Sequence, residues 1–535
     1  MSATQDIVAK LWKLCDVLRD DGVTYSEYVT ELTYLLFLKM MAETGQERRI
    51  PEEYRWDTLA KREGLDQLTH YKHLLTSLGD PDERDAEGKP KVAKDPLVLA
   101  IFENAQTRLR KPANLKSLTT AIEDLDWFDA REEGLGDLYE GLLQKNAEDK
   151  KSGAGQYFTP RPLIDSIIRL TKPQLGERIQ DPAAGTGGFI VAAHRRIYEE
   201  NNELYGLPEG AAEKQVRDCY TLSELVPDTH RLCLMNLMLH GIEGDAQSMD
   251  TLTDEGAGLP KADLILSNPP FGTKKGGGRP QRGDFSTTAN TSNKQLAFVE
   301  HIIRGLAPGG RAAVVVPDNV LFEDGTGRAL RQMLMNWCDL HTILRLPTGI
   351  FYAQGVKTNV LFFTKGSETD KYQEENCTEH VWVYDLRTNM PSFGKRTPFG
   401  DAHLKPFEDV YGDSPNGDSE RKEGEYSFHS EDIELPEHSD ENEGIDPRLA
   451  HSRWRRFSRQ WIAEHKGDSL DISWLKDSDS VDAANLPEPS VLAGEAMGEL
   501  VQALGELDAL MRELGAEEEA DGARVLLGEV MGGVK

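Results

Sequence analysis

"RIQDPAAGTGGF" (residues 178–189) closes a short strand pattern on Asp181 and passes through Gly185, Gly187 and Gly188 into the helical pattern "IVAAHRRIYEE" (190–200). Glycines at a strand-to-helix turn let the backbone bend tightly and approach a ligand, and the helix start offers N–H groups to it. The loop is not a G-x-G-x-x-G fingerprint, because Gly188 directly follows Gly187, and no Gly-Lys-Ser/Thr follows to make a Walker-type phosphate loop. Taken alone, it also fits a plain tight turn with no ligand.

Outward from this turn the texture repeats. Between 163 and about 365, apolar strand-like runs alternate with helical ones: "ADLILSNPPF" (262–271), "NKQLAFVEHIIRGL" (293–306), "GGRAAVVVPDNVLF" (309–322) and "TNVLFFTK" (358–365). Such alternation predicts an α/β, Rossmann-like domain whose mostly parallel sheet is covered by helices. Ligands of such sheets sit at the carboxyl ends of the strands, where both the glycine loop and "NPPF" fall. A second strand candidate, "RDCYTLSEL" (217–225), ends near Glu224, and a carboxylate there matches a ribose diol. The insertion "NNELYGLPEGAAEK" (201–214) accounts for its late position, and a surface carboxylate is the alternative reading.

Asn268-Pro269-Pro270-Phe271 ends a buried-looking run, Leu264-Ile265-Leu266. The prolines fix φ, extend the preceding residue and remove two backbone donors, leaving the Asn268 side-chain carbonyl and the Pro269 carbonyl as rigid acceptors. That pair suits an exocyclic amine, which becomes nucleophilic as both of its hydrogens are accepted. Phe271 offers a face for a planar base, and an amine in duplex DNA requires that the base be flipped out. The bland alternative is a rigid turn capping a core strand.

The 535 residues are too many for one core, so about three folding units are expected. Helical spacing at Ile7, Leu11, Leu14 and Leu18 and again over Leu32–Met41 predicts a helical domain over 1–150, with 80–95 a polar surface loop. The α/β domain takes 151–411, the acidic stretch 412–446 reads as a linker or excursion, and 447–535 forms a C-terminal segment with a helical tail. There Met497, Leu500, Leu504, Leu507, Met511 and Leu514 make a heptad seam, fitted either to the chain's own domain or to another subunit. A net charge of −31 argues against nonspecific coating of nucleic acid. Five cysteines without CxxC spacing indicate neither disulfides nor a metal site, and no signal or membrane-span pattern occurs, so a soluble cytoplasmic protein is expected.

With "GQYFTPR", "DPAAGTGGF", "SELVP", "MNLMLHGIEG", "LPKADLILSNPPFG" and the tail from "SLDISWLKD" onward, nearly the whole chain resembles the modification subunit of type I restriction-modification systems. The resemblance implies an S-adenosylmethionine-dependent N6-adenine DNA methyltransferase domain between a helical N-terminal domain and a tail that docks on a separate specificity subunit. It further implies that Gln156, Tyr157, Phe158, Thr159, Pro160 and Arg161, with Thr186, Gly187 and Gly188, contact the methionine part of the cofactor. Asp181 would orient its amino group, Glu224 bind its ribose and Asp250 approach its adenine. Asn268, Pro269, Pro270 and Phe271 would hold the target adenine, with Phe351 either on the base's other side or in the core. Leu222 stands where the family often has glycine, which puts the strand-end geometry in question.

No Arg/Lys-rich module for reading base edges follows the α/β domain, so specificity is assigned to a partner chain. The family also implies a second copy of this chain in the complex and a nuclease subunit. The loop "KKGGGRPQRG" (274–283) is the local basic exception, either touching phosphate or simply solvated. Cytosine N4 or a protein glutamine as acceptor, and a non-catalytic cofactor-binding scaffold, stand as the alternatives.

Overall fold

The computed structural model describes residues 3–14, 25–82, 95–125, 127, 135–149, 158–272, 278–351, 356–394, 397–423 and 452–475. Nine strands form one sheet: β1 (Ile179–Asp181), β2 (Tyr220–Glu224), β3 (Asp245–Ser248), β4 (Ala262–Ser267), β5 (Leu306–Pro317), β6 (Cys338–Arg345), β7 (Thr358–Lys365), β8 (His380–Asp385) and β9 (Trp454–Ser458). Their spatial order is β3-β2-β1-β4-β5-β7-β6-β8-β9. β3, β2, β1, β4 and β5 are mutually parallel, while β7 lies antiparallel between β5 and β6.

The central strands read as unbroken apolar runs because both faces are covered. Alternate residues divide between two cores. Leu264, Leu266, Ala313 and Val315 pack with helices Arg161–Thr171, Gly188–Glu200 and Asp401–Tyr411. Ile265, Ala312, Val314 and Val316 pack with Lys294–Gly305, Thr326–Trp337 and Arg459–Lys466.

Before the sheet the chain is helical, with helices including Ala3–Lys13, Tyr25–Glu43, Gly64–Leu78, Pro112–Glu123 and Leu135–Asp149. Ile7 and Leu11 are buried as their spacing predicts, whereas Leu18 lies outside the described residues. The helical core is not self-contained, since Leu232, Leu234 and Met235 of helix Pro227–Leu239 belong to it. Arg231 of that helix donates to the carbonyls of Ile101 (2.6 Å) and Glu103 (2.9 Å), and its guanidinium lies 5.2 Å from the Tyr34 ring centroid. The α/β part thus clasps the helical part through backbone acceptors, the Ile101 carbonyl among them buried.

The C-terminal boundaries differ from those read in the sequence. Residues 412–423, read from the sequence as the start of a linker or excursion, pack on the sheet: Arg421 donates to Tyr411 O (3.0 Å) and Thr342 Oγ1 (3.1 Å), and stacks 4.7 Å from the Tyr411 ring. β9, expected in a separate C-terminal segment, pairs antiparallel with β8. Averaged acidity hid these anchors, because one arginine and one aromatic strand suffice to fix a polar segment. The rest of the acidic stretch, 424–446, and the seam Met497–Leu514 lie outside the described residues. Among the described residues no helix is long and apolar enough to cross a membrane.

Candidate active site

From β1 the chain builds outward through β2 to β3, whereas β4 and β5 lie on the other side of β1. The connections therefore diverge at the carboxyl ends of β1 and β4, which opens a crevice at a topological switch point. The glycine loop follows β1 and Asn268–Phe271 follows β4, so this divergence brings the two motifs to one place.

Specific bonds join them. The Ser267 hydroxyl, buried at the end of β4, donates to Asp181 Oδ1 (2.8 Å), whose carboxylate also accepts the Ala183 N–H (3.1 Å). Burial pushes the Asp181 carboxyl up to about 7, against the pull of those two donors. Glu224 ends β2 and accepts the N–H groups of Gly185 (3.0 Å) and Val226 (2.8 Å). Burial raises its pKa as well, so two neighbouring carboxylates carry negative charge at a cost that a cation or diol donors would offset. The Thr251 hydroxyl, beyond β3, donates to Pro182 O (2.7 Å) and ties the next loop to the same spot.

Gly187 has φ +81° and caps helix Gly188–Glu200, and a Cβ there would lie 3.1 Å from Cys233 Sγ. Gly185 has φ +56° and a Cβ there would meet nothing within 4 Å, so the loop is closed on its helix side and open at Gly185. Asn236 holds the loop from below by donating to Thr186 O (2.9 Å).

At the end of β4, Asn268 Nδ2 donates to Thr159 Oγ1 (3.0 Å), which engages the donor end of the amide and turns its carbonyl end away from Thr159. Phe271 meets Phe351 edge-on, with centroids 6.5 Å apart and planes at 71°. Phe351 is buried in the core and buttresses Phe271 from the side, so the core placement is the one observed. Phe158 packs on the helical core and Pro160 precedes helix Arg161–Thr171. Arg161 pairs with Asp165 (3.2 Å) and with Glu140, which arrives on helix Leu135–Asp149. Asp137, Glu140 and His240 gather beside it, but Arg195 takes Asp137 at 2.6 Å and shares Glu140. Gln156 and Tyr157 lie outside the described residues. Asp250 sits past β3, its carboxylate accepting the Leu252 N–H (3.0 Å) in a turn.

The basic loop is only partly a surface feature. Arg282 is buried, paired with Asp284 (2.8 Å), bonded to Thr251 O (2.9 Å) and stacked 4.4 Å from the Phe285 ring, so it braces the site's floor. Arg279 donates to Asn290 Oδ1 (3.1 Å), and Lys274 and Lys275 lie outside the described residues. Ser267, Asn236 and Thr251 were not singled out in the sequence. A serine closing an apolar strand and an asparagine inside "MNLMLHG" are the signals that mark the first two, since a buried polar group needs a partner.

This constellation coincides with a family match. Residues 130–456 match the model for N-6 DNA methylase. The chain belongs to the N-6 DNA methylase family. Two flanking models agree: the HsdM N-terminal domain over 7–122, and the C-terminal domain of the type I restriction enzyme methylase subunit over 486–529. The chain is 56% identical over 541 residues to the type I restriction enzyme StySPI methylase subunit of Salmonella potsdam, covering 99% of each chain. It is equally similar, 56% with 99% of each chain covered, to the EcoKI methylase subunit of Escherichia coli K12. The crystal structure of the EcoKI M protein superposes with a TM-score of 0.57 at 53% identity, covering 98% of this N-6 DNA methylase and 99% of that chain.

Proposed function

We propose that this N-6 DNA methylase is the modification subunit of a type I restriction-modification complex and transfers a methyl group from S-adenosylmethionine to N6 of adenine in DNA. The observation that carries this reading is the bonding of the two motifs to each other at one switch point, through Ser267 to Asp181 and Asn268 to Thr159. Buried carboxylates at Asp181 and Glu224, with an open approach at Gly185, fit a ligand that brings a positive charge and vicinal hydroxyls. Thr159 to Arg161, Asp181, Thr186 to Gly188, Glu224 and Asp250 would hold it, with Gln156, Tyr157 and Phe158 completing the loop. When bound, this cofactor supplies a methyl group activated by a sulfonium.

The chain's own residues prepare the acceptor. Asn268 Oδ1 and the Pro269 carbonyl accept both hydrogens of the adenine amine and localise its lone pair towards the methyl carbon. Pro270 keeps the two acceptors in register, and Phe271 stacks on the flipped base, a contact worth ~1–3 kcal/mol. The amine sheds one proton after the methyl arrives, so no strong base is required in the site.

Sequence specificity comes from a separate protein, the specificity subunit, on which the seam Met497–Leu514 docks, in an assembly with a second copy of this chain and, for cleavage, a nuclease subunit in the cytoplasm. The test is label transfer from tritiated cofactor to DNA by the complex co-expressed with its specificity subunit, followed by nucleoside mass spectrometry. N6-methyladenine is expected, and N4-methylcytosine or labelled protein alone overturns the assignment.

A further inference from the structure

We propose that Arg387 is a positioning residue for the target base: it clamps both ends of the segment that carries Phe351, and through Phe351 it fixes the stacking face of Phe271. Strand register puts the clamp on the working edge of the sheet. Ser267, which closes β4, pairs with Val314 of the parallel β5. Pro317, the last residue of β5, faces Thr358 at the start of the antiparallel β7. Asn359 faces Arg345, the last residue of β6, and Arg345 faces Asp385, the last residue of the parallel β8. The carboxyl ends of β4, β5, β6 and β8 thus share one edge, the edge on which Asn268–Phe271 opens, and Arg387 follows closely after β8.

All three guanidinium nitrogens are engaged there. Nε donates to Leu346 O (3.0 Å) and Nη2 to Thr358 O (2.9 Å), the carbonyls where the chain leaves β6 and enters β7. The Leu346 N–H closes the same neck on Thr358 O (3.0 Å). Nη1 and Nη2 also make a two-point pair with the Asp318 carboxylate, both at 2.8 Å, and Asn359 Nδ2 holds that carboxylate in turn (2.8 Å). The Arg387 side chain is 10% exposed, so these bonds form largely out of water, where each is stronger. A planar fork that meets one carboxylate and two divergent carbonyls has no lysine equivalent.

The chain after Arg387 continues the grip. The Phe393 N–H donates to Thr348 O (3.1 Å). Gly349, at φ +86°, lies so close that a Cβ there would come 2.1 Å from Phe393 O. The Phe393 ring packs edge-on against His403 of helix Asp401–Tyr411, with centroids 4.8 Å apart, which ties this support to the helix layer. Held at its neck and at Thr348–Gly349, the segment delivers Ile350 and Phe351 into the core, where Phe351 meets Phe271 edge-on at 6.5 Å. That edge sets the tilt of the Phe271 ring, and a reacting group displaced by about 1 Å can lose ~10²-fold in rate.

This rests on the DNA-methyltransferase reading. The experiment uses the full chain assembled with its specificity subunit on DNA carrying the recognition site. Single-turnover label transfer and calorimetric cofactor affinity are read for the parent, Arg387→Lys, Phe351→Leu and the double variant. Arg387→Lys, which keeps a cation beside Asp318, is expected to slow transfer by ~10-fold or more while cofactor affinity stays within about 2-fold, because the clamp engages β5 to β8 and the glycine loop follows β1. In the Phe351→Leu background the same change should cost under ~2-fold, since the route to Phe271 is already cut. Gly349→Ala, which attacks the support from its other side, should slow transfer at the same unchanged cofactor affinity. Full-rate transfer by the folded Arg387→Lys and Gly349→Ala complexes overturns the proposal. So do multiplicative losses in the double variant, which route the arginine's effect elsewhere, and cofactor affinity falling in step with rate, which marks a brace for the whole sheet. Absence of transfer by the parent complex sinks the methyltransferase reading and the clamp with it, whereas transfer by the parent with independent losses in the variants sinks only the clamp.

Discussion

Asp181 is sealed at the end of β1, and its carboxyl, raised to about 7 from 3.8, keeps its proton where the unfolded chain has released it. Folding therefore takes up a proton between about pH 4 and pH 7, and the chain alone loses stability as pH rises through that window. Asp181→Asn should flatten this loss in thermal melts recorded across the same range. A cationic cofactor prefers the ionised form, so its affinity should climb towards pH 7 and level above it. In calorimetric titrations at pH 8 the asparagine variant should bind about 10-fold or more weakly, the worth of a hydrogen bond to a charged group. If Asn268 holds the target amine as proposed, its substitution should separate binding from chemistry. Asn268→Ala should leave cofactor affinity within about 2-fold of the parent but slow single-turnover methyl transfer by ~10²–10³, as losses of one preorganised polar group do. Thr159→Val removes the tether on the Asn268 amide, and a loss of ~1 kcal/mol, about 5-fold in rate at saturating cofactor, is the expected outcome.

The glycine loop shows where an element's sequence is binding on its geometry. Gly187→Ala should destabilise the chain by ~1–2 kcal/mol in urea titration from its left-handed backbone, plus the cost of the Cys233 contact. Adding Cys233→Ala should restore the contact part and leave the backbone part. The strand, turn and helix around this loop were legible because they are local: glycines at fixed offsets, Glu224 closing a strand, prolines closing another. Leu222, the departure from the family pattern, packs in the core without displacing Glu224 from the strand end. The bonds that assemble the site were not legible. Ser267 and Asp181 are 86 residues apart and meet through the adjacency of β1 and β4, whereas Thr159, 109 residues from Asn268, reaches it from the loop ahead of helix Arg161–Thr171. The place of β9 was hidden for a related reason, since its pairing with β8 bridges the acidic stretch that composition marks as a break.

Across the whole molecule, one helix serves both halves. Arg231→Ala would leave the buried Ile101 carbonyl without its donor, at ~1–3 kcal/mol, and should lower the melting temperature of the α/β part together with the helical part rather than of the helical part alone. Deleting 490–535 should, by contrast, leave cofactor binding intact while abolishing co-purification with the specificity subunit, as mass determination of the complex would show. The sheet itself ends in β3 and β9. A border strand is a template on which any extended chain can add itself, and a broad sheet would pay for its size in misassembly if its borders were long and bare. β3 has four residues, DAQS, and β9 has five that carry Arg455 and Arg456. Short margins of this kind, among the described residues, resist the addition of a stray strand to the sheet.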